Sequence, residues 1–307
     1  MLSPSESLKE RHRAGLALVE RASGADHPEP DFEALGNHPD VPEVGPEELS
    51  PALLRAAVLK HGCLLVRGLV DADEAVAFRD KMDAAFAARD GKDHSANGGY
   101  HEEFEADERF DLIGPRRSVT HPESMWLVDS PRVTDELLEL FDRAGVLELA
   151  SGYLGEPPLF SVQKSTLRRV RNNPDLTVPV SFWHQDGAFL KEVRALNIWL
   201  SLSRCGDVAP GLDLVPTRIN HILPTGTEGA FFDWSVSQAV AEEAAGDGGI
   251  HRPIFEPGDA LLFDELSLHA TAMSPDMPDA RYAVECWFFG PSGFPEGYAP
   301  IASLKAP

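Results

Sequence analysis

The spacing of apolar residues shifts near residue 158. Before that point they recur every three or four positions, the period of a helix with one buried face. The segment SPALLRAAVLKHG opens with Ser50, whose hydroxyl suits a helix N-cap, and closes with Gly62, a helix stop. CLLVRGLV then reads as a short apolar strand. Asp71 caps a second predicted helix running to about Arg89, in which Phe78, Met82 and Phe86 repeat at i, i+4 as core packing. A third helix is predicted from about Thr134 to Ala150, turning Leu137, Leu138 and Phe141 inward. After residue 158 the pattern becomes one of short apolar or alternating runs: LFSVQKSTLRRV, VSFWHQ, ALNIWLSL, GLDLVP, DALLFDE and YAVECWFFG. Short strands this closely spaced predict a β-sandwich or barrel. A further helix over about 234–245 interrupts them.

The flanks differ from both halves. Residues 4–22 read as a polar helix with few apolar positions, a loosely attached extension, and residues 23–50 as an extended linker rich in Pro, Gly, Asp and Glu. Residues 90–130 carry the breakers Gly98-Gly99, Gly114-Pro115 and His121-Pro122, and predict an irregular lid or binding loop. Tyr100, Phe104 and Trp126 within it are candidates for lining a pocket. The expected organisation is an N-terminal helix and linker over residues 1–50, followed by one domain over 51–307. Within that domain, 51–157 is helical and 158–292 forms the β core, giving a mainly β architecture with bracing helices.

Composition narrows the function. A formal charge of −23 repels phosphate backbones and anionic lipid, so neither nucleic acid nor a membrane surface is an expected partner. No apolar run approaches the roughly 20 residues that cross a bilayer. The first residues lack the apolar stretch of a secretory signal. Cys63, Cys205 and Cys286 stand far apart, as reduced core thiols of a cytoplasmic protein do. Nothing in the sequence fixes the oligomeric state.

The chemistry concentrates in VSFWHQDGAFL. Side chains at i and i+2 of a strand leave on the same face, so His184 and Asp186 can reach one ion, and Gly187 lets the backbone turn away. An HxD pair alone is a weak signal. It gains weight from GDALLFDELSLHATAMSPDMPDARYAVECWFF, where His269 follows a buried strand and Arg281 opens another. Two imidazoles and one carboxylate occupy one face of an octahedral iron(II) and leave three positions open, and the absence of thiolate fits oxygen-donor ligands. A zinc site with bound water uses the same donors. His94, His101 and His121, with Glu102 and Glu103, are too irregularly spaced for a second metal site and are expected on the surface.

The order HxD, His after about 80 residues and Arg a dozen later resembles the iron(II)/2-oxoglutarate dioxygenases. GCLLVRGLVDADEAVAFRDKMDAA, WHQDGAF, ALNIWLSL, APGLDLVPTR and GDALLFDELSLHATAMS look like their phytanoyl-CoA dioxygenase-like branch, over roughly residues 55–292. The resemblance implies a double-stranded β-helix, that is, a cupin-like jelly roll. It implies iron(II) on His184, Asp186 and His269, which are also the catalytic centre, with O2 and 2-oxoglutarate as co-reactants. Arg281 matches the arginine that grips the distal carboxylate of 2-oxoglutarate, a task for a planar guanidinium fork. Thr271 matches a hydroxyl that assists it. Trp199 looks like an aromatic flanking the cosubstrate, and Lys164 or Gln163 are further candidates to contact it. Two departures stand out: Ser274-Pro275 replaces the Asn and small polar residues frequent in relatives, and VPTRINH lacks the usual Gly-Ser-His ending, leaving His221 without an assigned role.

The implied activity is oxidation of a C–H bond in a small organic substrate, by default hydroxylation, coupled to decarboxylation of 2-oxoglutarate. Halogenation is disfavoured because Asp186 occupies the place that chloride takes in relatives lacking the carboxylate. Two alternatives stay open at this level: a cupin-like metal enzyme that does not use 2-oxoglutarate, and a non-catalytic ligand-binding barrel. The sequence does not select among acyl-CoA esters, amino acids and secondary metabolites as substrates, although Arg168, Arg169 and Arg171 offer a local basic patch for a CoA ester.

Overall fold

Strict alternation in four strands decides the architecture. In the computed structural model, residues 2–24, 27–36, 41–91, 98–119, 124–171, 182–190 and 193–303 are described. Their helices are α1 (Pro4–Arg21), α2 (Pro51–His61), α3 (Ala72–Asp90), α4 (Ile113–Val119), α5 (Pro131–Arg143), α6 (Val146–Leu154), α7 (Gly187–Leu190) and α8 (Gln238–Ala245). The strands are β1 (Glu43–Val44), β2 (Cys63–Val66), β3 (Ser124–Trp126), β4 (Leu159–Ser161), β5 (Thr166–Val170), β6 (Ala195–Ser201), β7 (Gly211–Leu214), β8 (Ala260–Phe263), β9 (His269–Ala272), β10 (Arg281–Phe289) and β11 (Pro300–Ala302).

The larger sheet runs β1-β2-β8-β6-β10-β4-β11, with β5 joining β10 and β3 joining β5. Long β10 is its spine: one edge pairs with β6 from Ala283↔Ser201 to Phe289↔Ala195, and the other pairs first with β5 and then with β4. Leu64, Val66, Leu196, Ile198, Leu200, Leu262, Val284, Cys286 and Phe288 face the helices and join their core. The alternate residues, including Leu65, Trp199, Leu261, Phe263, Ala283 and Trp287, face the barrel interior. The smaller sheet pairs β7 with β9 and is extended by the bridges His184↔His269 and Trp183↔Val236. Two sheets enclosing an interior, with helices on the outer face of one, is the jelly roll expected from the sequence.

The helices differ from expectation in instructive ways. The span 134–150 is split between α5 and α6, because Gly145 adopts φ +71° and ends the first helix. Within 98–130 the backbone forms α4 and β3 rather than a wholly irregular loop. Phe104 and Trp126 are core residues and Tyr100 packs against that core, so none lines the cavity described below. Cys63, Cys205 and Cys286 are free and buried, and burial raises all three thiols, to about 12, 11 and 12. No described helix is long and apolar enough to cross a membrane.

The first helix is not loosely attached. Ser3 caps α1 in a reciprocal capping box with Glu6. Apart from Leu8, which is fully buried in the core, the helix buries polar groups: Arg11 donates to the carbonyls of Ala302 and Ser303, and His12 Nδ1 lies 2.7 Å from the carbonyl of Pro300. Gly15 passes so close to β11 that a Cβ there would stand 3.0 Å from the Pro300 carbonyl oxygen.

His12 Nε2 also accepts from the amide of Asp107 at 3.0 Å, so the buried ring uses one nitrogen as donor and the other as acceptor and must be neutral. Burial, opposed by the Pro300 bond and Asp107, holds its pKa below the ordinary 6.5. The unfolded protein therefore binds the extra proton, and the contribution of His12 to stability is complete above pH 6.5 and lost as pH falls below it. Thermal unfolding between pH 7.5 and 5.5 should show a steeper loss of Tm for the wild type than for His12→Gln.

Candidate metal centre and cavity

Phe182 to Leu190 carries the centre across the mouth of the barrel. His184 exchanges both backbone hydrogen bonds with His269 of β9, at 3.0 and 3.1 Å, which sets their rings side by side with centroids 4.3 Å apart. Asp186 sits in the turn that follows, and its carbonyl receives the amide of Leu190 as α7 begins. Gly187 allows the turn, since a Cβ there would meet Ile222 Cδ1 at 2.8 Å and the Glu265 carbonyl at 3.1 Å.

The ring tautomers follow from the backbone. Nδ1 of His184 is 3.2 Å from the carbonyl of Phe182, and Nδ1 of His269 is 3.1 Å from that of Ser267. A carbonyl only accepts, so both Nδ1 atoms carry hydrogen and both Nε2 lone pairs are free. Burial, with His269 adding to it, pushes His184 down to about 4, so its imidazole is neutral at pH 7.

The two Nε2 atoms face one atom, Asp186 Oδ2, at 4.0 and 3.8 Å. That oxygen is buried and has no hydrogen-bond partner. Its twin, Oδ1, accepts from Lys164 Nζ at 2.6 Å. Burial opposes ionisation of Asp186, but Lys164 and the two imidazoles together hold it below the usual carboxylate range. One ligand atom from each of the three residues fits within a span of 4.8 Å, and theirs is the only such cluster among the described residues. An orphaned carboxylate oxygen facing two free imidazole lone pairs is a site that a divalent cation satisfies. The donor set, two nitrogens and one oxygen without thiolate, suits iron(II).

The other expected residues are placed as follows. Thr271 stands two residues beyond His269 on β9 and lines the cavity. Arg281 is fully buried at the start of β10, donating to the Gly211 carbonyl at 2.9 Å with its guanidinium 5.6 Å from the Trp199 ring centre. No described carboxylate lies in ion-pair range of it, and its Nε has no partner. Burial, with Arg168 adding repulsion, lowers it to about 10. Trp199 packs between Arg281 and Phe255 instead of lining the cavity. Lys164 does line it, although its ammonium is engaged with Asp186 and lies over the rings of Phe189 and Trp287. Gln163 lines it too and is tied to Gly297 and Ala299, and His221 is exposed. Glu102 and Glu103 are exposed and His101 is half-buried, while His94 and His121 lie outside the described residues.

Sequence reasoning missed Phe182, Trp234 and Glu285, which line the cavity, and Asn197, a buried amide on β6 that does not. Phe182 and Trp234 wall the cavity beside His184, with ring centroids 5.5 and 5.8 Å from it. Trp234 precedes α8 rather than belonging to it, held by the Trp183↔Val236 bridge, a pairing no local pattern announces. Asn197 is fully buried on the inward side of β6, in register with Phe263 and Trp287, and neither of its amide atoms has a partner. A lone amide in an apolar strand is the available signal. Glu285, one polar residue within the apolar run of β10, gives the same kind of signal. The cavity itself measures about 280 Å³; of the described residues within 98–130 only Val119 and Ser124 reach it.

Known proteins share this architecture. The family model described as phytanoyl-CoA dioxygenase (PhyH) matches residues 58–276. No curated protein matches significantly in sequence. Among solved structures, EctD from S. alaskensis with 2-oxoglutarate and 5-hydroxyectoine is 20% identical, with a TM-score of 0.55 over 80% of this protein and 79% of that one. The non-haem alpha ketoglutarate dependent carbocyclase SnoK from nogalamycin biosynthesis is 15% identical, with a TM-score of 0.52 over 83% and 98%. EvdO2 from Micromonospora carbonacea var. aurantiaca is 16% identical, with a TM-score of 0.50 over 83% and 93%. At these identities the likeness is one of fold.

Proposed function

The chain belongs to the phytanoyl-CoA dioxygenase family, and from that premise we propose that it is a non-haem iron(II) oxygenase that couples decarboxylation of 2-oxoglutarate to hydroxylation of a small organic substrate. The observation that carries this reading is Asp186 Oδ2, a buried carboxylate oxygen without a hydrogen bond, faced by two imidazole lone pairs. His184, Asp186 and His269 hold the iron. Held there, iron(II) would supply the chemistry that couples decarboxylation of 2-oxoglutarate by O2 to oxidation of a substrate C–H bond.

The protein's own groups prepare that event. The carbonyls of Phe182 and Ser267 fix both rings with Nε2 inward, and Lys164 holds the far oxygen of Asp186 so that one oxygen is left for the metal. Arg281 supplies the cation for the distal carboxylate of 2-oxoglutarate, because a buried guanidinium with no carboxylate in ion-pair range among the described residues is incomplete until an anion arrives. Its plane is set by the Gly211 carbonyl, in register with Ala272 of β9, and by the Trp199 face, and Thr271 lines the cavity two residues beyond His269. Phe182, Phe189 and Trp234 keep water from the reacting end of the cavity.

Anaerobic titration tests the reading directly. Iron(II) and 2-oxoglutarate together should produce the weak visible charge-transfer band of the chelate and raise Tm more than either alone. A protein that binds neither, or binds metal with no response to 2-oxoglutarate, belongs to one of the two alternative classes.

A further inference from the structure

Two charged side chains line the cavity without belonging to the metal centre or to the grip on 2-oxoglutarate: Arg168 of β5 and Glu285 of β10. Both point inward by strand alternation, from neighbouring register positions, Thr166↔Glu285 and Arg168↔Ala283. Their neighbours on that inner face are Ala283 and Trp287, so a charged pair here is costly to desolvate and is not required by packing.

Arg168 is also incompletely bonded. Arg168 Nη1 reaches Glu285 Oε2 through a single contact of 3.3 Å, and Arg168 Nε is buried without a partner. Two other arginines show what a closed fork looks like: Arg116 meets Asp129 at 3.0 and 3.0 Å, and Arg252 meets Asp213 at 2.7 and 2.8 Å. Arg168 therefore retains donor capacity facing the cavity, while Glu285 accepts from Arg168 and, at 3.5 Å, from Thr166 on the same oxygen. Glu285 is kept ionised, because Arg168 and Lys164 outweigh its burial, and the indole of Trp287 donates to its other oxygen at 3.1 Å. The wall near His184 is aromatic, formed by Phe182 and Trp234.

A wall that presents one positive and one negative group sums to zero. A net anion leaves Glu285 opposing it, and a net cation leaves Arg168 opposing it; a ligand with both charges satisfies both. The basic patch that would serve a polyanionic CoA ester does not form, since Arg169 turns to the outer face and pairs with Asp83 at 3.1 Å and Arg171 is exposed. A cavity of about 280 Å³ is small as well.

Resting on the oxygenase reading above, we propose that the substrate is a small zwitterion, a free amino acid with an apolar or ring side chain, whose carboxylate pairs with Arg168 and whose ammonium pairs with Glu285. Its apolar part lies against Phe182 and Trp234, which presents one of that part's C–H bonds towards the metal centre. The reaction balances as R–H + O2 + 2-oxoglutarate → R–OH + succinate + CO2, the two electrons beyond those from the C–H bond coming from the keto acid.

The test is binding, read by tryptophan fluorescence and thermal shift, with manganese(II) and 2-oxoglutarate in place so that no turnover occurs. L-Proline, L-leucine and L-phenylalanine are compared with N-acetyl-L-leucine, which keeps only the carboxylate, L-leucinamide, which keeps only the ammonium, and an acyl-CoA thioester. At least one free amino acid should bind tenfold or more tighter than either singly charged analogue. Arg168→Gln and Glu285→Gln should each remove at least tenfold of that affinity while changing the affinity for manganese and 2-oxoglutarate by less than threefold. Equal binding of the singly charged analogues, preference for the thioester, or no response to any free amino acid overturns the proposal while leaving the oxygenase reading standing. Failure of manganese and 2-oxoglutarate themselves to bind overturns both. The comparison of ligands on the wild-type protein decides the matter even if a variant does not fold.

Discussion

Asp186→Ala should eliminate iron binding and lower turnover by on the order of a thousandfold or more, and it should also melt well below the wild type. The two effects have different origins. Loss of iron follows from removing the one carboxylate among three ligands. Loss of stability follows from Lys164, whose ammonium is largely buried and donates to Asp186 Oδ1 at 2.6 Å. Removing one partner of such a pair strands the other, at a cost of roughly 3–5 kcal/mol. His269→Ala should abolish iron binding equally but cost less stability, since it strands no charge. The double variant Asp186→Ala/Lys164→Met should regain most of the lost Tm and none of the iron affinity. Metal titration followed by calorimetry checks all three. A single Asp186→Ala variant that still binds iron with wild-type affinity removes the metal centre from consideration.

Arg281→Leu has the opposite relation between function and stability. Affinity for 2-oxoglutarate should fall by about a hundredfold or more, as expected when a charge-assisted, two-point contact with a carboxylate is lost. Stability without ligands should stay level or rise, because a fully buried guanidinium lowered to about 10 by burial is already a burden on the fold. Arg281→Lys should not restore binding, since an ammonium lacks the planar fork. The KM for 2-oxoglutarate and the Tm, measured on the same preparations, settle both halves. A cupin-like enzyme indifferent to 2-oxoglutarate would keep its turnover in Arg281→Leu.

The candidate metal centre is legible in the sequence through its residue types and spacing, although the His184↔His269 bridge that joins its two parts is not. His184 and Asp186 are two residues apart, and His269 and Arg281 each stand at the edge of an apolar run. What lies beyond reach depends on contacts between distant segments. Nothing near Trp234 indicates that it will lie beside His184, because the bridge from Val236 to Trp183 places it there. Arg168, Arg169 and Arg171 read as one local basic patch, yet Arg168 points into the barrel and Arg169 out to Asp83 on α3. The first helix reads as loose when attachment is judged by apolar positions, which are scarce there. Its attachment runs through Arg11 and His12, polar groups that become adhesive only once the carbonyls of residues 300–303 are in place. The break at Gly145 is open to prediction from the glycine itself, but the apolar periodicity on both sides masks it.

The contact between α1 and β11 also bears on how copies of this protein behave at high concentration. β11 ends the larger sheet, and the outward carbonyls of such a strand are a template for pairing with another molecule. Here those of Pro300 and Ala302 are already taken by His12 and Arg11, and the bare backbone at Gly15 lets the helix lie flush against the strand. The helix thus serves as a guard against aggregation, and shortening the protein at that end would uncover an adhesive border.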